Sequence, residues 1–259
     1  MTAVNQFTRP APRETPPGTI VSGRYGVRFA RSDEDLDRVL RLRYEVFNLE
    51  LNEGLNGSVQ SGRDEDEFDC KFHHLLIEDR TSGTVVGTYR MQTAHMATEH
   101  GYYSAGLFEI ESLPPSTLAA AIEVGRACVA RPHRNGRVLH LLWRGLASYL
   151  SWNDKTMLFG CCSLTSQDQP RGAGVHAYLT AQGHVHPTLR VQPRARHRCA
   201  LTVSDPGTSK VPALFSAYLG IGARVLGPPA IDREFKTIDW LVLLDTADLP
   251  AIVHRTMFR

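Results

Sequence analysis

The stretch Ala121-Ile-Glu-Val-Gly-Arg-Ala-Cys-Val-Ala-Arg-Pro-His-Arg-Asn-Gly-Arg-Val138 combines features that rarely occur together. It begins as an apolar, strand-like run that carries Glu123 and Arg126, and it continues through a basic turn into a helical pattern. Burying an unpaired carboxylate or guanidinium costs several kcal/mol, so these two residues predict a polar cleft in a sheet. The strand, the basic turn and the helix together form a unit that can bind an anion.

The spacing of Glu123 and Arg126 sets a condition on that cleft. Residues three apart on a regular strand face opposite sides of the sheet, so the two side chains can share one cleft only if Gly125 allows a β-bulge. A structural ion pair at a sheet edge explains the same residues equally well. The pattern alone leaves both interpretations open.

Composition excludes several classes of protein. With 259 residues and 42% hydrophobic content, the chain can form one large domain. Its 29 Lys and Arg nearly balance its 27 Asp and Glu, so the protein has no overall positive charge that would favour binding of nucleic acid. Five cysteines without a C-x-x-C pair argue against a disulfide scaffold or a zinc site, and we predict no metal. We expect a cytoplasmic protein, and we leave open a peripheral contact with the inner face of the membrane.

The chain divides into a leader and one domain. Residues 1–24 are rich in proline and lack an apolar core, so we predict a disordered leader followed by a single domain over 25–259. The longest apolar window, 138–152, is shorter than the ~20 residues that span a bilayer. Periodicity predicts a helix after Ser32, a hairpin over 72–91, a strand over 120–130, a helix over 138–152, and strands over 156–163 and 238–245.

Other charged residues are expected to accompany Glu123. Arg43 lies inside the apolar stripe of the first helix, so it needs an anionic partner. Residues 64–69 hold five carboxylates in six positions, a block that usually lies in solvent, but the hairpin places Arg90 near it. The turn 131–137 carries three arginines ahead of a helix, which favours anion binding over a merely solvated loop.

Several short motifs occur in an order that resembles a known family. It is the family of ornithine-lipid N-acyltransferases, or hemolysin-like GNAT proteins, which is similar to acyl-homoserine-lactone synthases and N-acyl amino acid synthases. The resemblance covers about residues 25–245. It is carried by Leu42-Arg-Tyr-Glu-Val-Phe47, Asp66-Glu-Phe-Asp69, His74-Leu-Leu-Ile77, Val86-Gly-Thr-Tyr-Arg90, Glu123-Val-Gly-Arg126, Leu219-Gly-Ile-Gly-Ala223 and Gly227-Pro-Pro-Ala-Ile-Asp-Arg-Glu-Phe235.

This resemblance implies both a fold and an activity. The fold is α/β (α+β) and GNAT-like: a twisted mixed β-sheet with helices on both faces and a splayed central strand pair. The activity is transfer of a long-chain acyl group, often 3-hydroxylated, to the α-amine of an amino acid, with ornithine first among acceptors, giving a lyso-aminolipid. The co-substrate is acyl carrier protein carrying a phosphopantetheine thioester, and no bound cofactor is implied.

The resemblance also places residues of the acceptor side. An amine attacks a thioester only when it is unprotonated, so we assign Glu123 as the base, directly or through water. A backbone N–H near Val129 or Ala130 is assigned to the developing oxyanion. Apolar lining that includes Phe47 would hold the acyl chain. The charged residues of the substrate cleft are Arg43, Asp66, Asp69, Arg90 and Arg126.

The turn before the long helix is assigned to the acyl donor. His133 and Val138 occupy the first and last positions of the Q/R-x-x-G-x-G/A loop with which acetyl-CoA-dependent relatives bind a diphosphate. The single phosphate of a carrier protein therefore suits this turn better than CoA. The residues assigned to the carrier and its phosphopantetheine arm are Val129, Arg131, Arg134, Gly136 and Arg137.

Three other functions remain open at the level of sequence. The chain could be an N-acyl amino acid synthase with another acceptor, such as glycine or tyrosine. It could be a signal synthase of the acyl-homoserine-lactone type, although the long segment after residue 200 matches the lipid family better. It could also be a non-catalytic module that binds lipid or carrier protein.

Overall fold

One mixed sheet organises the protein. The computed structural model describes residues 15–202 and 210–258. The strands of these residues are Ile20–Ser22 (β1), Tyr25–Phe29 (β2), His73–Asp79 (β3), Thr84–Thr93 (β4), Ala121–Val129 (β5), Met157–Leu164 (β6), Arg224–Val225 (β7), Ala230–Asp232 (β8) and Thr237–Asp245 (β9). The α-helices are Asp33–Arg43 (α1), Ser58–Ser61 (α2), Ala94–His100 (α3), Pro115–Ala120 (α4), Gly136–Trp152 (α5), Gln169–Ala181 (α6), Ala213–Gly220 (α7) and Ala251–Met257 (α8).

The strand order is β1-β2-β3-β4-β5-β6-β9-β7, and β8 also pairs with β9. Neighbouring strands are antiparallel except β5 and β6, which run parallel. A parallel pair needs a crossover connection, and α5 supplies it. The predicted mixed sheet is therefore confirmed.

Helices cover both faces of this sheet. Ser32 begins α1 because its side chain accepts a hydrogen bond from the Asp35 backbone N–H, and α1 continues into a π-helix over Tyr44–Glu50. Val39 and Leu42 of α1 pack with Leu76 on one face. The opposite face is covered by α5, which begins at the N-cap Asn135 and buries Val138, Leu141, Leu142 and Leu146.

The central strands β5 and β6 separate soon after they meet. Their pairing covers only Ala121 to Glu123 opposite Met157 to Phe159, and beyond it the two strands diverge. Gly160 lies at the point of divergence, where an added Cβ would be 2.0 Å from the carbonyl oxygen of Val124. The absence of a side chain at Gly160 thus lets the strands approach just before they part. The predicted splayed pair is present.

A bulge in β5 places Arg126 on the cleft. The register with β4 shifts between Thr88 and Arg90, so β5 has one extra residue between Gly125 and Cys128. The predicted bulge is confirmed, but its left-handed residue is Arg126, with φ 50°, and not Gly125. A non-glycine residue in this conformation is strained by about 1–3 kcal/mol, a cost that often accompanies a functional site.

The start of the ordered domain differs from the sequence prediction. Residues 1–14 of the predicted leader lie outside the described residues, but Ile20–Ser22 pairs with β2, so the ordered domain begins before residue 25. The hairpin of β1 and β2 escaped prediction because Ser22, Gly23 and Arg24 interrupt a short apolar pattern. Among the helices of the described residues, none is both long and apolar enough to cross a bilayer.

We expect the close approach at Gly160 to be sensitive to one methyl group. Gly160→Ala should lower the free energy of unfolding by about 1–3 kcal/mol, because the new Cβ would overlap backbone atoms of Val124 that cannot rotate away. Gly125→Ala is the matched control, since an added Cβ there has no neighbour within 4 Å. Denaturant titration of both variants tests this prediction. Equal free energies of unfolding for Gly160→Ala and Gly125→Ala would contradict it.

Candidate active site

A cavity of about 310 Å³ fills the gap between β5 and β6. Because successive strand residues face opposite sides of a sheet, lining residues such as Glu123 and Val124 give the cavity access to both faces. On the α1 side we define the polar chamber by Glu53, Arg90, Glu123, Arg126 and Asp239. On the α5 side we define the apolar chamber by Trp143, Leu146, Phe215, Tyr218 and Met257.

Glu123 lies where the two strands begin to separate. Its side chain is buried, and its carboxylate accepts four hydrogen bonds. Oε1 accepts from the backbone N–H and the hydroxyl of Ser104, at 2.7 and 2.5 Å. Oε2 accepts from Nε2 of Gln92 at 2.6 Å and from the backbone N–H of Tyr103 at 3.0 Å. The carboxylate is therefore held rigidly, with each oxygen already engaged twice.

Behind the polar chamber lies a buried ion cluster. Arg43 is fully buried and contacts Asp64 and Asp69, with Nη1 of Arg43 2.6 Å from Oδ1 of Asp69. Burial opposes the ionisation of Asp69, but the charges of Arg43 and Arg90 outweigh it and hold the pKa of this carboxyl well below its usual range. The prediction that Arg43 needs an anionic partner is confirmed.

Two further arginines connect this cluster to the cavity. Nη1 of Arg90 is 2.5 Å from Oδ1 of Asp66, and Nη2 of Arg126 is 3.0 Å from Oδ2 of the same residue. Arg126 also contacts Asp64 and donates to the hydroxyl of Tyr103. Three arginines thus face three aspartates, and the cluster carries no net charge.

The predicted substrate residues separate into two groups. Arg90, Arg126 and Phe47 line the cavity, as Glu123 does. Arg43, Asp66 and Asp69 lie behind this lining; Arg43 and Asp69 are 0% and 2% exposed. The expectation that the acidic block 64–69 lies in solvent is wrong for Asp64 and Asp69, because buried arginines from other elements neutralise them.

The basic turn is less open than predicted. Arg134 forms a two-point ion pair with Glu50 and also donates to the carbonyl oxygen of Val129. Arg131 is exposed, and Arg137 extends over Gly23 in the turn between β1 and β2. Arg134 and Arg137 therefore contact different segments of the chain.

The two backbone donors proposed for the oxyanion differ in availability. The N–H of Ala130 already donates to the carbonyl of Val86 at 2.9 Å, so Ala130 is excluded. Hydrogen-bonded positions alternate along an antiparallel pair, and the N–H of Val129 therefore points away from β4, although Val129 does not line the cavity. Gly136, which the sequence analysis assigned to the acyl donor, is the first residue of α5.

The comparisons with known proteins agree with this geometry. A family described as an acetyltransferase (GNAT) domain matches residues 42–144. The chain is 31% identical over 240 residues to an L-ornithine N(alpha)-acyltransferase of Rhodobacter capsulatus, covering 86% of this chain and 90% of that protein. The chain belongs to the L-ornithine N(alpha)-acyltransferase family. It is an N-acyltransferase.

Further relatives support this family and its fold. An L-ornithine N(alpha)-acyltransferase of Agrobacterium fabrum is 28% identical over 251 residues, covering 88% of this chain and 84% of that protein. The crystal structure of a CoA-dependent acyl-homoserine lactone synthase, BjaI, with MTA is similar at a TM-score of 0.50 and 16% identity, covering 86% and 81% of the two chains. At that identity the likeness concerns the fold alone.

Two cavity carboxylates of this acyltransferase were not among the predicted site residues. Glu53 and Asp239 are buried, at 5% and 3% exposure. Burial, and then the nearby charge of Asp232, raise the pKa of Asp239 to about 7. Burial likewise raises the pKa of Glu53, against the opposing effects of a hydrogen bond from Thr165 and the charge of Arg126. Asp239 interrupts an apolar strand as Glu123 does, so the same signal could have identified it.

No metal centre is evident in the part of the chain that the structure describes, since it contains no group of three His, Cys, Asp or Glu residues placed to hold an ion. The five cysteines are free thiols. Cys161 and Cys162 line the cavity, and burial raises the pKa of both thiols well above the ordinary value, so they act there as neutral apolar groups.

Proposed function

We propose that the enzyme transfers a long-chain acyl group from a thioester to the α-amine of ornithine. The observation that carries this proposal is the single gap between β5 and β6, which connects a charged chamber to an apolar chamber with Glu123 at its start. An amino acid and an acyl chain need these two environments on opposite sides of one reacting carbonyl. The names of the relatives support ornithine as the acceptor.

The chemistry is aminolysis of a thioester. The neutral α-nitrogen attacks the carbonyl carbon, a C–N bond forms, the C–S bond breaks, and the thiol leaves with the proton lost by the nitrogen. Because four donors occupy the carboxylate of Glu123, we propose that it takes this proton through a water molecule and then returns it to the leaving thiolate. The N–H of Val129 is the backbone donor proposed for the oxyanion.

We propose that Arg90 and Arg126 hold the carboxylate of the acceptor. Both line the cavity, and Nε of Arg90 has no hydrogen-bond partner among the described residues. Asp66 and Asp69 then act as positioning residues, because they hold the two arginines from behind the cavity wall, and Arg43 acts through Asp69, which it contacts. Arginine binds carboxylates with strong, geometrically specific hydrogen bonds.

The acyl chain is assigned to the apolar chamber. Trp143 and Leu146 come from α5, Phe215 and Tyr218 from α7, and Met257 from α8, so the walls of this chamber come from three helices. Phe47 lines the cavity on the other face and contacts Phe235 edge to face. We propose that Phe47 encloses the head of the acyl group, near its carbonyl.

We propose acyl carrier protein as the donor and a 3-hydroxyacyl group as its cargo. Arg131 and Arg137 are exposed near the start of α5, where a single phosphate and an acidic carrier surface would be attracted. Arg134 holds Glu50 and the Val129 carbonyl, and it would position the N–H of Val129 rather than bind phosphate. A cytoplasmic location with peripheral membrane contact remains a prediction.

The proposal is tested by measuring amide formation from a 3-hydroxyacyl carrier protein with a panel of amines. We expect mass spectrometry to detect N-acyl-ornithine as the main product, and glycine, tyrosine and homoserine lactone derivatives in lower yield. Exclusive acylation of glycine or tyrosine would replace ornithine by another acceptor. Binding of the carrier without any amide would contradict the proposed enzyme reaction.

Reversing two exposed charges should weaken recognition of the carrier protein. We expect the double variant Arg131→Glu, Arg137→Glu to raise KM for the acyl carrier protein about tenfold or more at low salt, with kcat nearly unchanged, because such charges govern encounter. Arg171→Glu is the control, since Arg171 is exposed on α6. Steady-state kinetics at two ionic strengths measure this effect. An unchanged KM in the double variant would argue against a carrier donor at this turn.

A further inference from the structure

The polar chamber contains three buried carboxyl groups that form no ion pair with the described residues. The three arginines near it are already neutralised by Asp64, Asp66 and Asp69. Within the described residues, no ion pair reaches Glu53, Glu123 or Asp239. Buried carboxylates without a counter-charge are costly, so this chamber is suited to a ligand that brings positive charge.

Asp239 has an atom that lacks any partner. Its side chain is 3% exposed and lines the cavity, yet Oδ1 has no hydrogen-bond partner among the described residues. Glu123 is different, because four donors surround its carboxylate. Glu53 is intermediate, because the Thr165 hydroxyl is its hydrogen-bond donor. The carboxylate oxygen that still lacks a hydrogen-bond donor is therefore Oδ1 of Asp239, and Glu53 lies nearby.

Sheet register places Asp239 and Glu123 on the same face. Glu123 pairs with Phe159 of β6, and Asp239 pairs with Ser163 of the same strand. Phe159 and Ser163 are four residues apart, so their side chains share a face, and directly opposite residues share it with them. Cys161 lies between them, and after burial the charges of Asp239 and Glu123 are the largest causes that raise the pKa of its thiol.

The charge of Asp239 also depends on its neighbours. Burial comes first and the charge of Asp232 second in raising its pKa to about 7; side-chain hydrogen bonds with Ser163 and Thr237 oppose this rise, and the charge of Glu53 adds to it. Asp232 itself accepts hydrogen bonds from the backbone N–H groups of Glu234 and Phe235, so its carboxylate is already engaged. An ammonium ion placed between Asp239 and Glu53 would relieve their repulsion and supply the missing donor.

We infer that Asp239 and Glu53 form a subsite for the terminal side-chain ammonium of a basic amino-acid acceptor. The inference rests on the proposed function and names the residues that select a diamino acid over a neutral one. With the α-carboxylate at Arg90 and Arg126 and the reacting α-nitrogen near Glu123, the side chain of ornithine extends toward Asp239. A neutral acceptor would leave both buried carboxylates without a counter-charge, and a polar site whose needs are unmet discriminates strongly.

The test compares L-ornithine with L-norvaline, which has the same carbon chain but no terminal ammonium. We expect the wild-type enzyme, supplied with 3-hydroxyacyl carrier protein, to prefer ornithine by at least about 10²-fold in kcat/KM. Asp239→Asn and Glu53→Gln should each lose most of this preference, because each removes one of the two carboxylates that would hold the terminal ammonium. Asp168→Asn is the matched control, because Asp168 is exposed and does not line the cavity.

Calorimetric binding of the two amino acids separates this inference from the proposed function. We expect ornithine to bind the wild-type enzyme more tightly than norvaline, and Asp239→Asn to remove the difference without lowering the melting temperature. This binding result would support the subsite even if no amide formed. The absence of amide would contradict the proposed reaction but not the subsite. If both variants keep the wild-type preference in kcat/KM and in binding, the subsite is wrong while the acyltransferase proposal stands.

Discussion

Replacing Glu123 with glutamine is expected to lower kcat by at least about 10²-fold, the usual size of an acid–base contribution. Glutamine keeps the shape of the side chain but cannot accept a proton at neutral pH. Its amide nitrogen would also face two donors, either both groups of Ser104 or those of Gln92 and Tyr103. We expect a loss of about 1–3 kcal/mol in stability from that mismatch, so kcat must be measured per folded molecule.

Two comparisons separate a role of Glu123 in proton transfer from a purely structural role. Ser104→Ala removes one donor, the hydroxyl, from Glu123 but keeps the charge of Glu123, and we expect it to lower kcat by less than about tenfold. Glu111→Gln removes an exposed carboxylate that pairs with Arg194, and we expect wild-type turnover. If folded Glu123→Gln enzyme retained wild-type turnover, Glu123 would have no role in proton transfer.

Replacing Arg43 with leucine is expected to cause the largest loss of stability, about 3–5 kcal/mol. Arg43 is 0% exposed and supplies counter-charge to both Asp64 and Asp69. Removing it would leave these buried carboxylates sharing only Arg126 and Arg90. A typical domain has about 5–15 kcal/mol of total stability, so this single change would remove a large share of it.

Arg41 provides a control two residues away on the same helix. Its side chain is 54% exposed and pairs with Asp37 one turn earlier. We expect Arg41→Leu to leave the free energy of unfolding nearly unchanged, because exposed ion pairs contribute little to stability. Urea titration of both variants measures the difference, and similar losses at Arg41 and Arg43 would contradict the buried cluster.

The sequence identified the centre of the site because ions in apolar patterns are conspicuous. Glu123 and Arg126 interrupt a strand, and Arg43 interrupts the apolar stripe of α1. Glu123 and Arg43 are buried, the Arg126 side chain is 6% exposed, and all three lie at or directly behind one cavity. The requirement for a bulge also followed from spacing, because only an extra residue brings positions 123 and 126 to the same cleft. These inferences needed only local periodicity.

The remaining features depend on contacts between distant segments. Ser104 lies in a short 3-10 turn with no apolar periodicity, yet its backbone and hydroxyl hold Glu123. Asp64 and Asp69 belong to a dense acidic block, and only the arrival of arginines from α1, β4 and β5 explains their burial. Arg134 matched an anion-binding turn, but Glu50 from the π-helix occupies it. Ion pairs and hydrogen bonds between segments that are distant in the sequence cannot be predicted from the local sequence pattern.

The acyl-transfer reaction is tested most directly by product analysis with ornithine labelled with ¹⁵N at the α-nitrogen. With a 3-hydroxyacyl carrier protein as donor, we predict one free carrier thiol released for each amide formed, with the label in the amide nitrogen. Thiol release that does not depend on ornithine, or an amide at the unlabelled side-chain nitrogen, would contradict an α-amine held beside Glu123 at the gap between β5 and β6.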